Sequence, residues 1–125
     1  MINEGAKPLT ESELEIMEVL WDLERGTVRD VYEILLERRK VAYTTVMTMM
    51  GILEEKGHVR RRKVGRAFEY VPSRPRQKVI ASMVEEFVSR VFKGSAGPLV
   101  AGLLKDKKLS PKEVAEIERL LKENS

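Results

Sequence analysis

Apolar residues recur along this chain every three or four positions, except in one stretch where they alternate with polar ones. Leu14, Met17, Leu20 and Trp21 mark the inner side of a helix from about Glu11 to Glu24. Thr10-Glu11-Ser12-Glu13 opens it as a capping box, and Arg25-Gly26 ends it, with Gly26 the expected left-handed residue. Thr27 caps a second helix, Asp30 is its acidic partner three residues on, and Val31, Ile34 and Leu35 face inward. After a short connection, Val46, Met49, Met50 and Leu53 form the buried stripe of a third helix, from near Tyr43 to Gly57. The period then changes. His58 to Val64 and Arg66 to Val71 read as strands around the turn Lys63-Val64-Gly65-Arg66, where Gly65 takes a positive φ. Phe68 and Tyr70 alternate along the second strand, so one side of it can face the helices, and Pro72 ends the pairing.

A fourth helix opens at Ser73-Arg74-Pro75 and runs to about Lys93. Its apolar residues, from Val79 to Phe92, cover more of the circumference than one core stripe needs. A helix apolar on two sides needs two partners, and in a chain this small the second is expected to be another copy. Gly94 to Pro98 breaks the helix, Leu99 to Leu104 forms a short one, and the capping box Ser110-Pro111-Lys112-Glu113 opens the last. The fold class is therefore mainly α. Residues 8–72 form a winged helix-turn-helix of three helices and a two-stranded wing, and residues 73–125 form a three-helix dimerisation domain. Ile80, Met83, Val84, Phe87, Val91, Leu99, Leu103 and Leu120 are expected at the interface between copies.

Composition narrows the chemistry. There is no cysteine, which removes disulfides, thiolate metal sites and thiol catalysis. No apolar run approaches the roughly 20 residues that span a bilayer, and the polar, acidic N-terminal stretch does not read as a signal peptide. A cytoplasmic protein without membrane insertion is expected. The net charge of +3 hides a strong division. Residues 1–37 carry three Lys/Arg against ten Asp/Glu, residues 38–78 twelve against three, and residues 79–125 eight against seven. A basic middle between an acidic head and a near-neutral tail fits a polyanion surface.

The candidate surface follows from this division. The third helix turns Thr44, Thr48, Gly51 and Glu55 away from its buried stripe, with Thr45 and Met47 on the flanks. Thr44, Thr45, Met47 and Thr48 are candidates to face base edges in a DNA major groove, since threonine donates, accepts and offers a methyl to thymine. The alternative for threonines at a helix start is capping. Arg60, Arg61, Arg62, Lys63 and Arg66 are candidates for phosphates, although strand alternation lets only about half of the first four approach one backbone. Arg66, at the tip, suits the adjacent minor groove. Tyr43 contacts a phosphate or wedges between helices 2 and 3. Arg29, one turn into helix 2, meets a phosphate or is a surface charge. His58, the only histidine, reads as a strand surface residue without a role. No catalytic constellation, phosphate-binding loop or metal-ligand spacing is present, so neither enzyme activity nor a cofactor is expected.

The order of elements, the stretch VAYTTVMTMMGILEEKGHV, the hairpin GRAFEYVP and the tail FKGSAGPLVAGLL…LSPKEVAEIERLL resemble the penicillinase repressor (BlaI/MecI/CopY) family of bacterial regulators over about residues 9–122. The resemblance implies a repressor whose winged helix reads a palindromic operator in double-stranded DNA and whose helical tail makes a homodimer. In antibiotic-responsive members a membrane-bound sensor metalloprotease triggers cleavage, directly or through a downstream protease. The cut segment matches Leu99–Leu104, at the bond aligned with Gly102–Leu103, where Asn and Phe are usual. Copper-responsive members add a C-terminal cysteine cluster, which this cysteine-free chain lacks, so copper or zinc sensing of that type is not implied. A base-reading arginine of some members aligns with Met47, which implies another operator sequence or more apolar contact with thymine methyls. The competing readings are a ligand-responsive winged-helix regulator of another family and a winged-helix protein-interaction module that does not bind DNA.

Overall fold

The computed structural model describes residues 7–106 and 108–123; the side chain of Leu120, expected at the interface, lies outside the described residues. The elements run α1 (Glu11–Leu23), α2 (Val28–Leu36), α3 (Tyr43–Glu55), β1 (Val59–Val64), β2 (Ala67–Pro72), α4 (Arg76–Val91), α5 (Gly97–Lys105) and α6 (Pro111–Glu123). Helices with a two-stranded antiparallel wing after α3 make the molecule mainly helical. The packing divides the chain between Met83 and Val84.

Capping fixes the first two helices. The Thr10 hydroxyl accepts from the Glu13 N–H at 3.2 Å, and the Glu13 carboxylate accepts from the Thr10 N–H at 2.9 Å. Thr27 and Asp30 repeat the arrangement at α2, at 3.1 and 2.9 Å. Each box satisfies two N–H groups that the helix leaves unpaired. Ile16, Met17 and Leu20 of α1 meet Val31 and Leu35 of α2, Val46, Met50 and Leu53 of α3, and Val59 and Tyr70 of the wing in one core. Leu14 and Trp21 are only half-buried; Ile16 and Val19 occupy the core face of α1 in their place. The Trp21 indole N–H donates to the Arg74 carbonyl at 3.0 Å.

Gly26 is not the left-handed residue after α1. Glu24 takes that conformation, at φ 74°. Gly26 is buried, and its N–H and carbonyl bond the Tyr70 carbonyl and N–H at 3.1 and 2.8 Å. A Cβ at Gly26 would lie 3.2 Å from Leu23 Cδ1 and 3.4 Å from Asp30 Cβ, so close approach, not a turn, calls for the glycine.

The wing pairs from Val59↔Pro72 to Val64↔Ala67, and Gly65 turns the chain at φ 64°. Tyr70 packs on the helices at 6% exposure, but Phe68, two residues nearer the tip, is 41% exposed because the helices do not reach it. His58 is also not a surface residue. It is 4% exposed, its N–H donates to the Leu53 carbonyl, and its own carbonyl accepts from the Ser73 N–H.

The start of α4 is tied to α1. Val79 is buried, and the Arg76 guanidinium forks onto the Glu18 carboxylate at 2.7 and 3.0 Å. In the second unit, α4 ends through Lys93 and Gly94 at φ 56° and 87°. Phe87 and Phe92 meet edge to face at 5.8 Å, and the Ser110–Glu113 box opens α6.

Candidate nucleic-acid interface

The core fixes which side of α3 faces outward. Val46, Met50 and Leu53 are at most 1% exposed, so the other side of the helix cannot turn in. Thr44, Thr45, Met47, Thr48 and Gly51 are all exposed. The threonines do not cap the helix: the N-cap is Ala42, with no side-chain hydrogen bond, and Thr44 and Thr45 lie inside the first turn. Their hydroxyls and methyls are left exposed toward the N-terminal end of α3, together with the thioether of Met47.

Tyr43 takes the wedge position and still shows its outer edge. Its ring meets Tyr32 of α2 edge to face at 5.4 Å, while the residue stays 38% exposed. Arg29 is brought to the same place. Its guanidinium lies 5.7 Å from the Tyr43 ring centroid and 3.6 Å from the Glu33 carboxylate. Two residues far apart in sequence thus join at the α2–α3 junction.

The five basic wing residues are not equivalent. Antiparallel register puts Arg61 and Lys63 on one face with Phe68 and Tyr70, and Arg60 and Arg62 on the other with Glu69. Arg62 lies 3.3 Å from the Glu69 carboxylate, which also faces Arg25 at 4.0 Å. Arg61 lies 3.5 Å from Glu54 at the end of α3 and 4.4 Å from the Phe68 ring centroid. Arg60, Lys63 and Arg66 are exposed and have no ion-pair partner among the described residues. Lys40, just before α3, is likewise exposed and unpaired among them; it sits in the run Arg38-Arg39-Lys40, whose two arginines both turn to Glu15. Sequence reading left out Lys40, Glu54, Phe68 and Glu69. The alternation of the second strand carries a signal for Phe68, but nothing local pairs Glu54 with Arg61.

At the C-terminal end of α3 lies a polar joint. Lys56 Nζ donates to Glu13 Oε1 at 2.6 Å and to the Pro8 carbonyl at 3.1 Å, and His58 Nε2 donates to the Lys7 carbonyl at 2.5 Å. His58 Nδ1 is buried without a partner among the described residues. Burial, together with nearby Arg74 and Lys56, holds the imidazole below its usual pKa, against the bond to Lys7 and the charge of Glu13. Glu13 is raised by burial, but its bonds to Lys56 and Thr10 outweigh that and leave it below the usual carboxylate value. Glu18 is lowered by its hydrogen bonds from Arg76.

This geometry can lay hydroxyls and methyls against one face of a partner and cations against a flanking anionic chain. Comparison with known proteins bears on what that partner is. The family described as penicillinase repressor matches residues 9–123. The penicillinase repressor of Bacillus licheniformis is 28% identical over 116 residues, 93% of this chain and 91% of that protein. The transcriptional regulator BlaI of Mycobacterium tuberculosis is 36% identical over 83 residues, 66% of this chain and 60% of that protein. Among solved structures, monomeric Bacillus licheniformis BlaI in complex with the blaP half-operator superposes with a TM-score of 0.51 at 28% identity. That match covers 57% of this chain and 87% of that one.

Proposed function

Because the chain belongs to the penicillinase repressor family, we propose that it is a DNA-binding transcriptional repressor that acts as a homodimer on a palindromic operator. The observation that carries this reading is the exposed Thr44, Thr45, Met47 and Thr48 surface of α3, held outward by the core, in a chain whose next element, the wing, carries Arg60, Lys63 and Arg66 exposed and without an ion-pair partner among the described residues. α3 lies in the major groove, and the threonines and Met47 meet base edges. Arg60, Lys63 and Arg66 of the wing, with Tyr43 at the α2–α3 junction, meet phosphates. The dimer neutralises on the order of four to eight of them. Two recognition helices related by a twofold axis read half-sites whose centres lie about 10 bp, or a small multiple, apart.

Support for the second copy comes from the tail. Val84, Phe87, Val91, Val100, Leu104 and Ile117 are large apolar residues at 41–52% exposure within residues 84–125. Of the positions expected at the interface, Ile80, Met83, Leu99 and Leu103 are half-buried. A monomer loses the avidity that links two weak half-site contacts, so whatever breaks the dimer releases the operator. Cleavage near Gly102–Leu103, set off by a membrane-bound sensor metalloprotease or a downstream protease, is one such route. Gly102 is exposed in the middle of α5, and an interior glycine weakens a helix that must unwind to enter a protease.

The test is an electrophoretic mobility shift with the DNA upstream of the protein's own gene, repeated across salt concentrations. The expected result is binding by the dimer that falls steeply with salt. A folded dimer that shows no salt-sensitive binding overturns the reading.

A further inference from the structure

Beyond Tyr70, which is buried and held by its two backbone bonds to Gly26, the hairpin has little to hold its direction. Along β1 only Val59 is buried, and every residue from Arg60 to Phe68 is exposed. A two-stranded ribbon without a packed face twists and bends readily. At the base, the wing is joined to α3 through the buried Val59 and the His58–Leu53 backbone bond. Farther out, among the described residues, α3 and the wing are joined through Arg61. Its guanidinium reaches Glu54 in the last turn of α3 and lies over the ring of Phe68 on the neighbouring strand.

We propose that Arg61 is a positioning residue that aims the wing at DNA by bridging Glu54 and Phe68, and that it neutralises no phosphate itself. This rests on the repressor reading above and refines it. A guanidinium engaged by a carboxylate on one side and a ring face on the other must give up both to meet a phosphate. Arg60, Lys63 and Arg66 give up no ion pair among the described residues. The exposure of Phe68 has an account on the same terms: the ring serves as a platform for Arg61, not as core. Arg61 and Phe68 sit on the same face of the hairpin, and Arg62 on the opposite face pairs with Glu69 instead. Charge count alone treats these arginines alike; their contacts do not.

Salt dependence separates the two roles. Each lost phosphate contact lowers the slope of log affinity against log salt by about 0.9. With the upstream DNA and full-length protein, Arg66→Gln and Arg60→Gln should flatten the slope. Arg61→Gln should weaken binding about three- to tenfold with the slope unchanged. Phe68→Leu, which changes no charge, should do the same, and the double variant should be no weaker than Arg61→Gln alone. Arg61→Lys keeps a cation for Glu54 and should recover part of the loss. Circular dichroism establishes that each variant is folded. A slope loss at Arg61→Gln equal to that at Arg66→Gln, additive effects of Arg61→Gln and Phe68→Leu, or unchanged affinity overturns the proposal while leaving the repressor reading intact. Failure of the unmodified protein to bind with any salt dependence overturns both.

Discussion

Gly51 faces outward in the middle of α3, and a methyl group there would meet nothing within 4 Å. An interior helical glycine costs about 0.5–1 kcal/mol relative to alanine. Gly51→Ala should therefore raise stability by about that amount in urea unfolding. If the threonine side of α3 lies against bases, the same methyl group should weaken binding to the upstream DNA. A more stable variant with unchanged affinity would take Gly51 off the DNA-facing side. His58 carries a prediction of its own. The folded protein holds it neutral below its ordinary value of 6.5, so the unfolded chain takes up a proton first as pH falls. Its contribution is complete above that value and declines as pH drops below it, until the folded protein protonates too. Nδ1 would then be a buried donor without an acceptor. Melting temperature should fall between about pH 7 and pH 5, and His58→Gln should flatten that dependence. Glu13 and Glu18, both held low, lose their contributions in a separate window below 4.5. A slope in the upper window that survives in His58→Gln would assign it to another group.

The helices depend on local chemistry that can be tested one end at a time. Thr27 closes α2 through its reciprocal bonds with Asp30, and α2 is only nine residues long. Thr27→Ala should cost about 1 kcal/mol, read as a lower urea midpoint with an unchanged m-value. This locality is why the capping boxes, the two-residue turn at Gly65 and the buried stripe of α3 were legible in the sequence. Each is set by residues within one or two turns of one another. The misreadings share the opposite property. Gly26 looks like a helix stop, but Tyr70, 44 residues on, decides its role. Trp21 looks like core, but the bond to Arg74 draws it to the edge. His58 reads as an idle strand residue because Lys7, whose carbonyl it meets, and Glu13, which holds Lys56 beside it, lie far upstream in the chain. At the candidate surface, the threonines could be placed from periodicity, whereas the division of labour among the wing arginines could not. Periodicity gives the face of a strand, not the carboxylate that waits beside it.

For the molecule as a whole, the tail is the testable part. Phe87 is 41% exposed and touches Phe92 only edge to face. Under the dimer reading, Phe87→Asp would bury an unpaired charge between copies. Sedimentation should then show a monomer, and affinity for the upstream DNA should fall by roughly a hundredfold or more as avidity is lost. A variant that stays dimeric would place the contact on other residues. One more property follows from the bond that joins the Trp21 indole to the carbonyl of Arg74. The chain has a single tryptophan, so its intrinsic emission comes from one known place, where α1 meets the run into α4. The protein carries its own unlabelled fluorophore there, and a change in its colour or brightness during a titration is a direct optical reading of that joint.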